Sequence, residues 1–300
     1  MIETIEIVKS FGNVKAVDGI SLQIKENSVF GLVGTNGAGK STFMRLLCGI
    51  LVPDKGEIRI EDKNIFENVN IKQEVFYLSD EQYFFTNATA VDMAKYYEIL
   101  FPKFSSKRLY KLLNQFDLDK KRKIHTFSKG MKKQLGILMG IASGCKYLLC
   151  DETFDGLDPL MRQAVKSIIA GELEEREFTP VIASHNLREL EDICDYVGLL
   201  HRGGVILNKD LEYMKSNIHK IQCVFKDEES EKKILEKFEI VKQEKRGSLQ
   251  LLTVRGNREV ILNTLQTIDP IFSEVLPLTL EEIFISETEA VGYDIKKLIG

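Results

Sequence analysis

A glycine-rich loop between an apolar run and a helical segment is the feature that most restricts how this chain can fold. The run SVFGLVG, residues 28–34, is short and apolar like a buried strand, and STFMRLLCGIL, residues 41–51, has apolar residues at helical spacing. The order of strand, loop and helix predicts a phosphate-binding loop in an α/β fold. The loop fits G-x-x-x-x-G-K-[ST] and consists of Gly34, Thr35, Asn36, Gly37, Ala38, Gly39, Lys40 and Ser41.

The residues of this loop suit a triphosphate. Glycines let backbone N–H groups close around phosphate oxygens, and the start of a helix adds a positive dipole. We expect Lys40 to reach the β- and γ-phosphates and Ser41 to place its hydroxyl on Mg²⁺, with Thr42 ending the nucleotide-binding stretch. The loop therefore predicts a nucleoside triphosphate, but it does not distinguish kinases, GTPases, helicases and transporter ATPases.

A pair of carboxylates follows a second apolar run. In YLLCDETFDGLDP, residues 147–159, Asp151 and Glu152 come at the carboxyl end of a predicted strand, where open α/β sheets bind their ligands. Taken alone, these residues would be an acidic turn. Because they follow a phosphate loop, we expect Asp151 to hold Mg²⁺ through water and Glu152 to orient or deprotonate the water that attacks the γ-phosphate.

The rest of the chain predicts a mixed sheet with two additions. Apolar runs separated by helical stretches predict a parallel sheet covered by helices, and GEIRIEDKNI, residues 56–65, alternates strictly and predicts an antiparallel flank. Residues from about 80 to 144 have helical spacing only and predict an inserted helical subdomain. We therefore expect an α/β P-loop NTPase domain over residues 1–215.

A small α+β domain is expected over residues 216–300, where strand and helix patterns alternate again. Near its end, Thr279 and Glu282 have the spacing of a capping box for a short helix.

Composition excludes several classes of protein. A net charge of -4 disfavours a protein that binds nucleic acid by counterion release, so no nucleic-acid partner is expected. No apolar run reaches the length of a membrane span, and the N-terminus lacks the regions of a signal peptide. The five scattered cysteines are expected to be reduced core thiols. These features predict a cytoplasmic chain that reaches a membrane only through a partner.

Taken in order, GTNGAGKST, FSKGMKKQ, YLLCDETFDGLDP and SHN resemble the motifs of ATP-binding cassette (ABC) ATPases over roughly residues 1–215. The resemblance implies ATP and Mg²⁺ as ligands. FSKGM occupies the place of the signature motif LSGGQ, so Ser128 and Gly130 are implied to contact the γ-phosphate bound to the opposite subunit. Lys129 stands where glycine is usual, and Met131 stands where glutamine is usual.

Three further residues acquire roles from the resemblance. Asp158 resembles the residue that crosses the dimer interface, although an Asp before Pro is more often a turn or cap. His185 resembles the switch histidine that contacts the γ-phosphate, and Phe11 resembles the aromatic residue that stacks on adenine. A lone histidine is usually structural, and an aromatic side chain at the end of an edge strand is as often part of the core.

The family's glutamine loop matches least well. Alignment on Tyr77 and Leu78 puts Asp80 where a glutamine usually touches Mg²⁺, with Gln82 two residues later. A carboxylate can hold Mg²⁺ but repels phosphate more than an amide does. Both residues stay candidates, with Asp80 taken as the metal contact. Near them, the aromatic stretch Tyr83 to Phe85 is implied to be the docking site of a membrane subunit.

The resemblance implies an ATP-hydrolysing transporter subunit. Two such subunits, identical or different, would sandwich two ATP molecules and drive a separate integral membrane subunit from the inner face of the cell membrane. The C-terminal LPLTLEEIFI resembles cassettes whose partners are often exporters.

Two alternatives are a soluble ABC ATPase acting on nucleic acid or the ribosome, and a regulatory module that does not hydrolyse ATP. The acidic charge and the lack of a second cassette or long coiled coil disfavour the first. Glu152 and His185 disfavour the second.

Overall fold

A computed structural model describes residues 1–290 of the chain, which divides into two units, Met1–Asn208 and a second that begins at Lys209. The sequence pattern placed this change a few residues later, at about residue 215.

The strands of the first unit are β1 (Ile2–Phe11), β2 (Val14–Ile24), β3 (Phe30–Val33), β4 (Lys55–Ile60), β5 (Lys63–Asn64), β6 (Val75–Leu78), β7 (Tyr147–Asp151), β8 (Thr179–Ser184), β9 (Tyr196–His201) and β10 (Gly204–Asp210), which runs into the second unit. Its helices are α1 (Lys40–Leu47), α2 (Val69–Lys72), α3 (Ala90–Leu100), α4 (Ser106–Gln115), α5 (Lys129–Ala142), α6 (Pro159–Glu175) and α7 (Leu187–Leu190), with a 3₁₀ turn at Ile124–Thr126.

A six-stranded sheet of order β10-β9-β3-β8-β7-β6 forms the centre of the first unit. Strands β3, β6, β7, β8 and β9 pair in parallel, and every residue of β3, β7 and β8 is buried. Burial on both faces explains why these strands read as continuous apolar runs in the sequence. The predicted fold class, an α/β sheet with an antiparallel flank, is confirmed.

The antiparallel flank is a separate four-stranded sheet of order β2-β1-β4-β5. The stretch predicted as one strand over residues 56–65 is instead a hairpin, because Arg59 pairs with Asn64. Glu61 and Asp62 make the turn with φ values of 51° and 61°, a left-handed conformation that tight hairpin turns require. Asp62 is of a residue type that tolerates such angles. The alternating pattern of residues 56–65 does not reveal this turn.

Helices α3, α4 and α5 lie between β6 and β7, where the sequence predicted a helical subdomain. Side-chain oxygens of Thr89, Ser105 and Ser128 cap their N-termini by accepting backbone N–H bonds. Residues 79–146 form no strand beyond one isolated bridge between Thr89 and Lys123.

The second unit is an antiparallel sheet of order β12-β13-β11-β14 with helices between its strands. The connectivity is β-α-β-β-α-β, the split βαβ arrangement in which each helix joins two strands separated by a third. Its core includes Ile221, Leu252 and Ile261. The elements are α8 (Leu211–Asn217), β11 (Ile218–Val224), α9 (Glu228–Lys237), β12 (Glu239–Arg246), β13 (Leu249–Arg255), α10 (Arg258–Ile268), β14 (Phe272–Leu276) and α11 (Leu280–Ala290).

Sequence patterns missed strand β12 but located the last helix. The β12 segment EIVKQEKR is mostly charged and lies at the edge of its sheet, so only one neighbour supports it. The predicted capping box is confirmed. The backbone N–H of Glu282 donates to Thr279 Oγ1 at 3.2 Å, and the Thr279 N–H donates to Glu282 Oε2 at 3.0 Å.

The main core of the first unit packs α1 against the sheet and so fixes the helix that follows the phosphate loop. Phe43 and Met44 of α1 and Tyr147 and Leu149 of β7 are all fully buried in one cluster. Because Leu149 lies two residues before Asp151, packing of this cluster also fixes the carboxyl end of β7.

Replacing Leu149 by alanine should lower the free energy of unfolding by about 2–5 kcal/mol, because the side chain is wholly buried and leaves a cavity. Urea unfolding of the full chain measures the change. The matched change Leu160→Ala, at a leucine that is 79% exposed, should stay within about 0.5 kcal/mol of wild type. Equal losses in the two variants would contradict the packing described here.

Candidate active site

The phosphate loop runs from the end of β3 into α1 and depends on glycine at two close approaches. Gly39 has a φ of 104°, and a Cβ there would lie 2.2 Å from the carbonyl oxygen of Ala16. A Cβ on Gly34 would lie 2.6 Å from the carbonyl oxygen of Leu200. Any side chain at either position would push the loop off its neighbouring strands, so these glycines are required by packing as well as by backbone conformation.

Lys40 lies at the first turn of α1 and points back into the loop. Its ammonium group donates to the carbonyl oxygens of Gly34 at 2.7 Å and Thr35 at 3.3 Å, and it lies 3.3 Å from Glu152 Oε1. The side chain is buried, so these oxygens supply the contacts that water gives elsewhere. Lys40 thus links the phosphate loop to the end of β7.

Ser41 and Asp151 meet between α1 and β7. The Ser41 hydroxyl donates to Asp151 Oδ1 at 3.1 Å, and the Tyr77 hydroxyl donates to Asp151 Oδ2 at 3.0 Å. Burial raises the pKa of Asp151, an effect that the two hydroxyls oppose. Burial and the adjacent Asp151 charge also raise the pKa of Tyr77. The predicted pair of metal contacts is therefore assembled, with Tyr77 as a partner that the sequence did not indicate.

Glu152 takes an unusual backbone conformation directly after β7. Its φ of 51° is left-handed for a residue with a side chain, and its N–H donates to the Ala183 carbonyl at 2.9 Å. The Glu152 carbonyl accepts a 2.7 Å hydrogen bond from Lys133 Nζ. Its carboxylate lies between Lys40 and His185, whose Nδ1 is 3.8 Å from Oε2.

His185 follows β8 at the same edge of the sheet. Its Nδ1 lies 3.2 Å from Asp155 Oδ2, closer than it lies to Glu152, and the side chain is 47% exposed. The structure thus brings Lys40, Glu152 and His185 into one contiguous group beside the loop.

Ser128, Gly130 and Asp158 occupy helix starts rather than the loop. Ser128 Oγ accepts from the N–H of Met131 at 3.1 Å at the start of α5, and Asp158 Oδ1 accepts from the N–H of Met161 at 3.0 Å at the start of α6. Both side chains are exposed, and within residues 1–290 neither is hydrogen-bonded to the phosphate loop. The position of Gly130 is beside the loop after Glu152, since a Cβ on it would lie 3.4 Å from the Gly156 carbonyl oxygen.

Two other predicted contacts lie at the margins of the site. Phe11 ends β1 with its ring 49% exposed and the Lys9 ammonium 5.8 Å from the ring centroid. Thr42 is half-buried in the first turn of α1. An exposed ring at a strand end can stack on a flat ligand, so the predicted adenine contact remains a prediction.

Asp80 has a different partner from the one expected. Its carboxylate makes a 2.8 Å ion pair with Lys133 Nζ, whereas the Ser41 hydroxyl is bonded to Asp151. The alternative residue, Gln82, lies against Gly136 of α5, and both of its amide atoms are buried without a hydrogen-bond partner among the described residues. The metal role of Asp80 therefore remains a prediction, and Lys133 is a neighbour of the site that sequence reasoning missed.

A signal for Lys133 was present in the sequence. In KGMKKQLGILMGIA, Lys133 is four residues before Ile137 and eight before Ile141, so helical spacing puts it on the apolar face of α5. A lysine on an apolar face requires a buried partner.

None of the helices in residues 1–290 combines the length and the apolar character needed to cross a bilayer.

A family model described as ABC transporter matches residues 17–155. The ABC transporter ATP-binding protein YtrB of Bacillus subtilis (strain 168) is 29% identical over 287 residues, which cover 96% of this chain and 98% of that protein. The bacitracin transport ATP-binding protein BcrA of Bacillus licheniformis is 30% identical over 223 residues, 73% of each chain.

Among solved structures, a dimeric ATP-binding cassette in a post-hydrolysis state, bound to ADP and Pi, superposes with a TM-score of 0.64 at 19% identity. The match covers 70% of this chain and 99% of that one, and it supports the fold. The relatives are transporter subunits, which disfavours the alternative of a soluble ATPase acting on nucleic acid or the ribosome. The chain belongs to the ABC transporter family and is an ATP-binding subunit that hydrolyses ATP to power transport.

Proposed function

We propose that Glu152 activates the water that attacks ATP, in a site built from Lys40, Ser41, Asp151 and His185. The observation that carries this proposal is the continuous set of contacts from Lys40 through the Glu152 carboxylate to His185. A triphosphate in the loop would take over the Lys40 ammonium from the Gly34 and Thr35 carbonyls. Glu152 would then be free to accept a proton from water, while Lys40 stabilises negative charge on the phosphate.

The residues around Ser41 fit Mg²⁺. The Ser41 hydroxyl and the Asp151 carboxylate are hard oxygen donors in direct contact, and Mg²⁺ binds such donors with water and substrate phosphates. The ion, when bound, would neutralise charge on the phosphates. In this arrangement Tyr77 keeps Asp151 oriented by its hydrogen bond to Oδ2.

The functional unit is a dimer of cassettes, identical or different. Ser128 and Asp158 are exposed at the starts of α5 and α6, and neither bonds to this chain's own phosphate loop within the described residues. The start of α5 offers backbone N–H groups and the Ser128 hydroxyl to an anion, so it suits the γ-phosphate held by an opposing subunit. Each ATP would then contact both subunits, and closure would complete the site.

A separate integral membrane subunit would dock in an aromatic groove of the first unit. The groove has a volume of about 630 Å³ and includes Phe76, Tyr83, Phe85, Tyr96 and Gln82. Tyr83 is 76% exposed, and the rings of Phe85 and Tyr96 pack edge to face at 4.8 Å. An apolar groove lined by aromatic rings suits the apolar face of a short helical segment. Docking there would place the chain on the inner face of the membrane. The similarity to a bacitracin transport protein favours a compound of the bacitracin kind as cargo, and the resemblance of LPLTLEEIFI to exporter cassettes favours export.

Replacing Glu152 by glutamine should reduce ATP hydrolysis by about 10²- to 10⁴-fold, because the amide cannot accept the proton from water. ATP binding should persist, and size-exclusion chromatography with ATP should show a trapped dimer. The control Glu174→Gln, at an exposed carboxylate of α6, should hydrolyse ATP at the wild-type rate. Hydrolysis of ATP at the wild-type rate by Glu152→Gln would show that Glu152 is not the base.

Replacing Tyr83 by glutamate should abolish recovery of the integral membrane subunit that the wild-type chain captures from detergent-solubilised membranes. The charge would enter an apolar groove and would be buried by a docked segment. Tyr213→Glu, at a tyrosine of the second unit that is 61% exposed, is the matched control and should leave the complex intact. Retention of the complex by the Tyr83 variant would place the interface elsewhere.

His185 is held beside a carboxyl group whose titration affects stability. Burial and a hydrogen bond to Glu189 raise the pKa of Asp155 to about 6, from an ordinary value of 3.8, and the nearby His185 and Lys133 oppose the rise. A raised pKa means that the folded chain binds the Asp155 proton more tightly than the unfolded chain does. The resulting stabilisation is complete below about pH 4 and is lost as the pH rises through about 6.

Asp155→Asn should therefore raise the Tm at pH 8, where it removes an unfavourable half-buried charge, and should have little effect near pH 4, where Asp155 is protonated. Thermal unfolding at the two pH values measures the difference. The control Glu174→Gln, which removes an exposed carboxylate of α6, should leave the Tm unchanged at both. A variant that is less stable than wild type at pH 8 would show that the contact with His185 outweighs the cost of charging Asp155.

A further inference from the structure

Lys133 is a buried lysine that the mechanism above does not use. Its side chain is 3% exposed, and it extends from the second turn of α5 towards the carboxyl end of β7. A buried ammonium group is costly unless its charge is paired and its N–H groups have acceptors. Residues of two other segments supply the paired charge and the acceptors, so the contacts of Lys133 show which segments it holds together.

The ammonium group joins two segments that are distant in sequence. It donates to Asp80 Oδ1 at 2.8 Å, in the loop after β6, and to the Glu152 carbonyl oxygen at 2.7 Å, in the turn after β7. Among residues 1–290, Asp80 is the carboxylate paired with Lys133. The Asp80 side chain is 45% exposed, so the pair has a buried end at Lys133 and an open end at Asp80.

The bond to Glu152 falls at the strained residue of the site. Glu152 has a φ of 51°, a conformation that costs energy for a residue with a side chain and that persists only when surrounding contacts hold it. Its N–H is held by Ala183 and its carbonyl by Lys133. The Lys133 contact therefore fixes one side of the peptide that aims the Glu152 carboxylate at Lys40 and His185.

We propose that Lys133 is a positioning residue for Glu152, and that Asp80 serves by pairing with Lys133 and so keeping its ammonium group in place. This inference rests on the proposed role of Glu152 as the base. It also connects the aromatic groove to the site. Asp80 belongs to the same loop as Gln82 and Tyr83, so a segment docked in the groove that displaces Asp80 weakens the hold of Lys133 on Glu152.

Lys133→Met tests the proposal, because it keeps an unbranched side chain only one atom shorter and removes the charge and the N–H donors. Misplacing a catalytic group by about 1 Å costs up to about 10²-fold, so we expect kcat to fall between tenfold and a hundredfold. The KM for ATP should stay within about threefold, because among the described residues Lys133 makes no hydrogen bond to the phosphate loop. Steady-state hydrolysis by the full-length chain, together with equilibrium ATP binding, measures both.

Two conservative variants separate positioning from simple destabilisation. Lys133→Gln keeps an N–H donor for the Glu152 carbonyl and should retain kcat within about threefold of wild type, although it loses the ion pair as fully as methionine does. Asp80→Asn keeps an acceptor for Lys133 at a half-exposed position, so it should fold and should lower kcat by less than Lys133→Met does. Asp80→Asn added to Lys133→Met should have little further effect, since the two residues act through one contact.

The control is Lys132→Met, the same change at the neighbouring, half-buried lysine of α5, which should leave kcat unchanged. A kcat within twofold of wild type for Lys133→Met would overturn the proposal. So would equal losses in the methionine and glutamine variants, since charge alone would then account for them.

If Lys133→Met does not fold, Lys133→Gln and Asp80→Asn decide the question, and a glutamine variant as inactive as Glu152→Gln counts against positioning. Rapid hydrolysis by Glu152→Gln would reject the base assignment and is a separate outcome from any of these.

Discussion

The parallel pairing of β3, β7 and β8 is the constraint on which the rest of the site depends. Parallel strands have their carboxyl ends at one edge of the sheet, so the residues that follow these strands lie close together although they are far apart in sequence. The phosphate loop follows β3, Asp151 ends β7 with Glu152 directly after it, and His185 follows β8. Registers of Val33 with Ser184 and of Asp151 with Ala183 set the heights of these groups to within a residue.

Buried charges at this edge are compensated by specific partners rather than by water. Lys40 is surrounded by two carbonyl oxygens and the Glu152 carboxylate, and Asp151 accepts bonds from two hydroxyls. Each of these groups would be costly to bury alone. An incoming triphosphate, with the cation proposed for Ser41 and Asp151, would bring charges of both signs, so these groups could change partners without being left uncompensated.

Local sequence predicts those parts of the structure whose causes are local. The glycine pattern of residues 34–39, the apolar strand before Asp151 and the capping box of Thr279 and Glu282 each act within a few residues, so their signals can be read directly. The hairpin at Glu61 and the charged edge strand β12 depend on pairing with other strands, and the alternating pattern does not encode which partner is available. The sequence therefore predicted the fold class and most of the first unit's elements better than the second unit's sheet.

Side-chain partners across long sequence distances were the hardest to predict. Lys133 and Asp80 are 53 residues apart, and Tyr77 and Asp151 are 74 apart, so no spacing rule connects them. The resemblance gives Asp80 a metal contact by its position in the sequence alone, and that role stays a prediction. In the folded chain the loop after β6 faces α5, and a carboxylate at 80 is favoured by a buried lysine at 133.

The two residues are therefore best understood as a pair. A neutral side chain at 80 would remove the ion-pair partner of Lys133, whose ammonium group would keep its bond to the Glu152 carbonyl, whereas a neutral side chain at 133 would leave Asp80 partly in water. The buried ammonium group of Lys133 favours a carboxylate at position 80, and Lys133 itself is bonded to the Glu152 carbonyl. The preference for a carboxylate in this loop therefore originates at the contact between Lys133 and Glu152. Under the proposed role of Lys133, the aspartate at position 80 would link the loop beside the groove to Glu152 through its ion pair with Lys133.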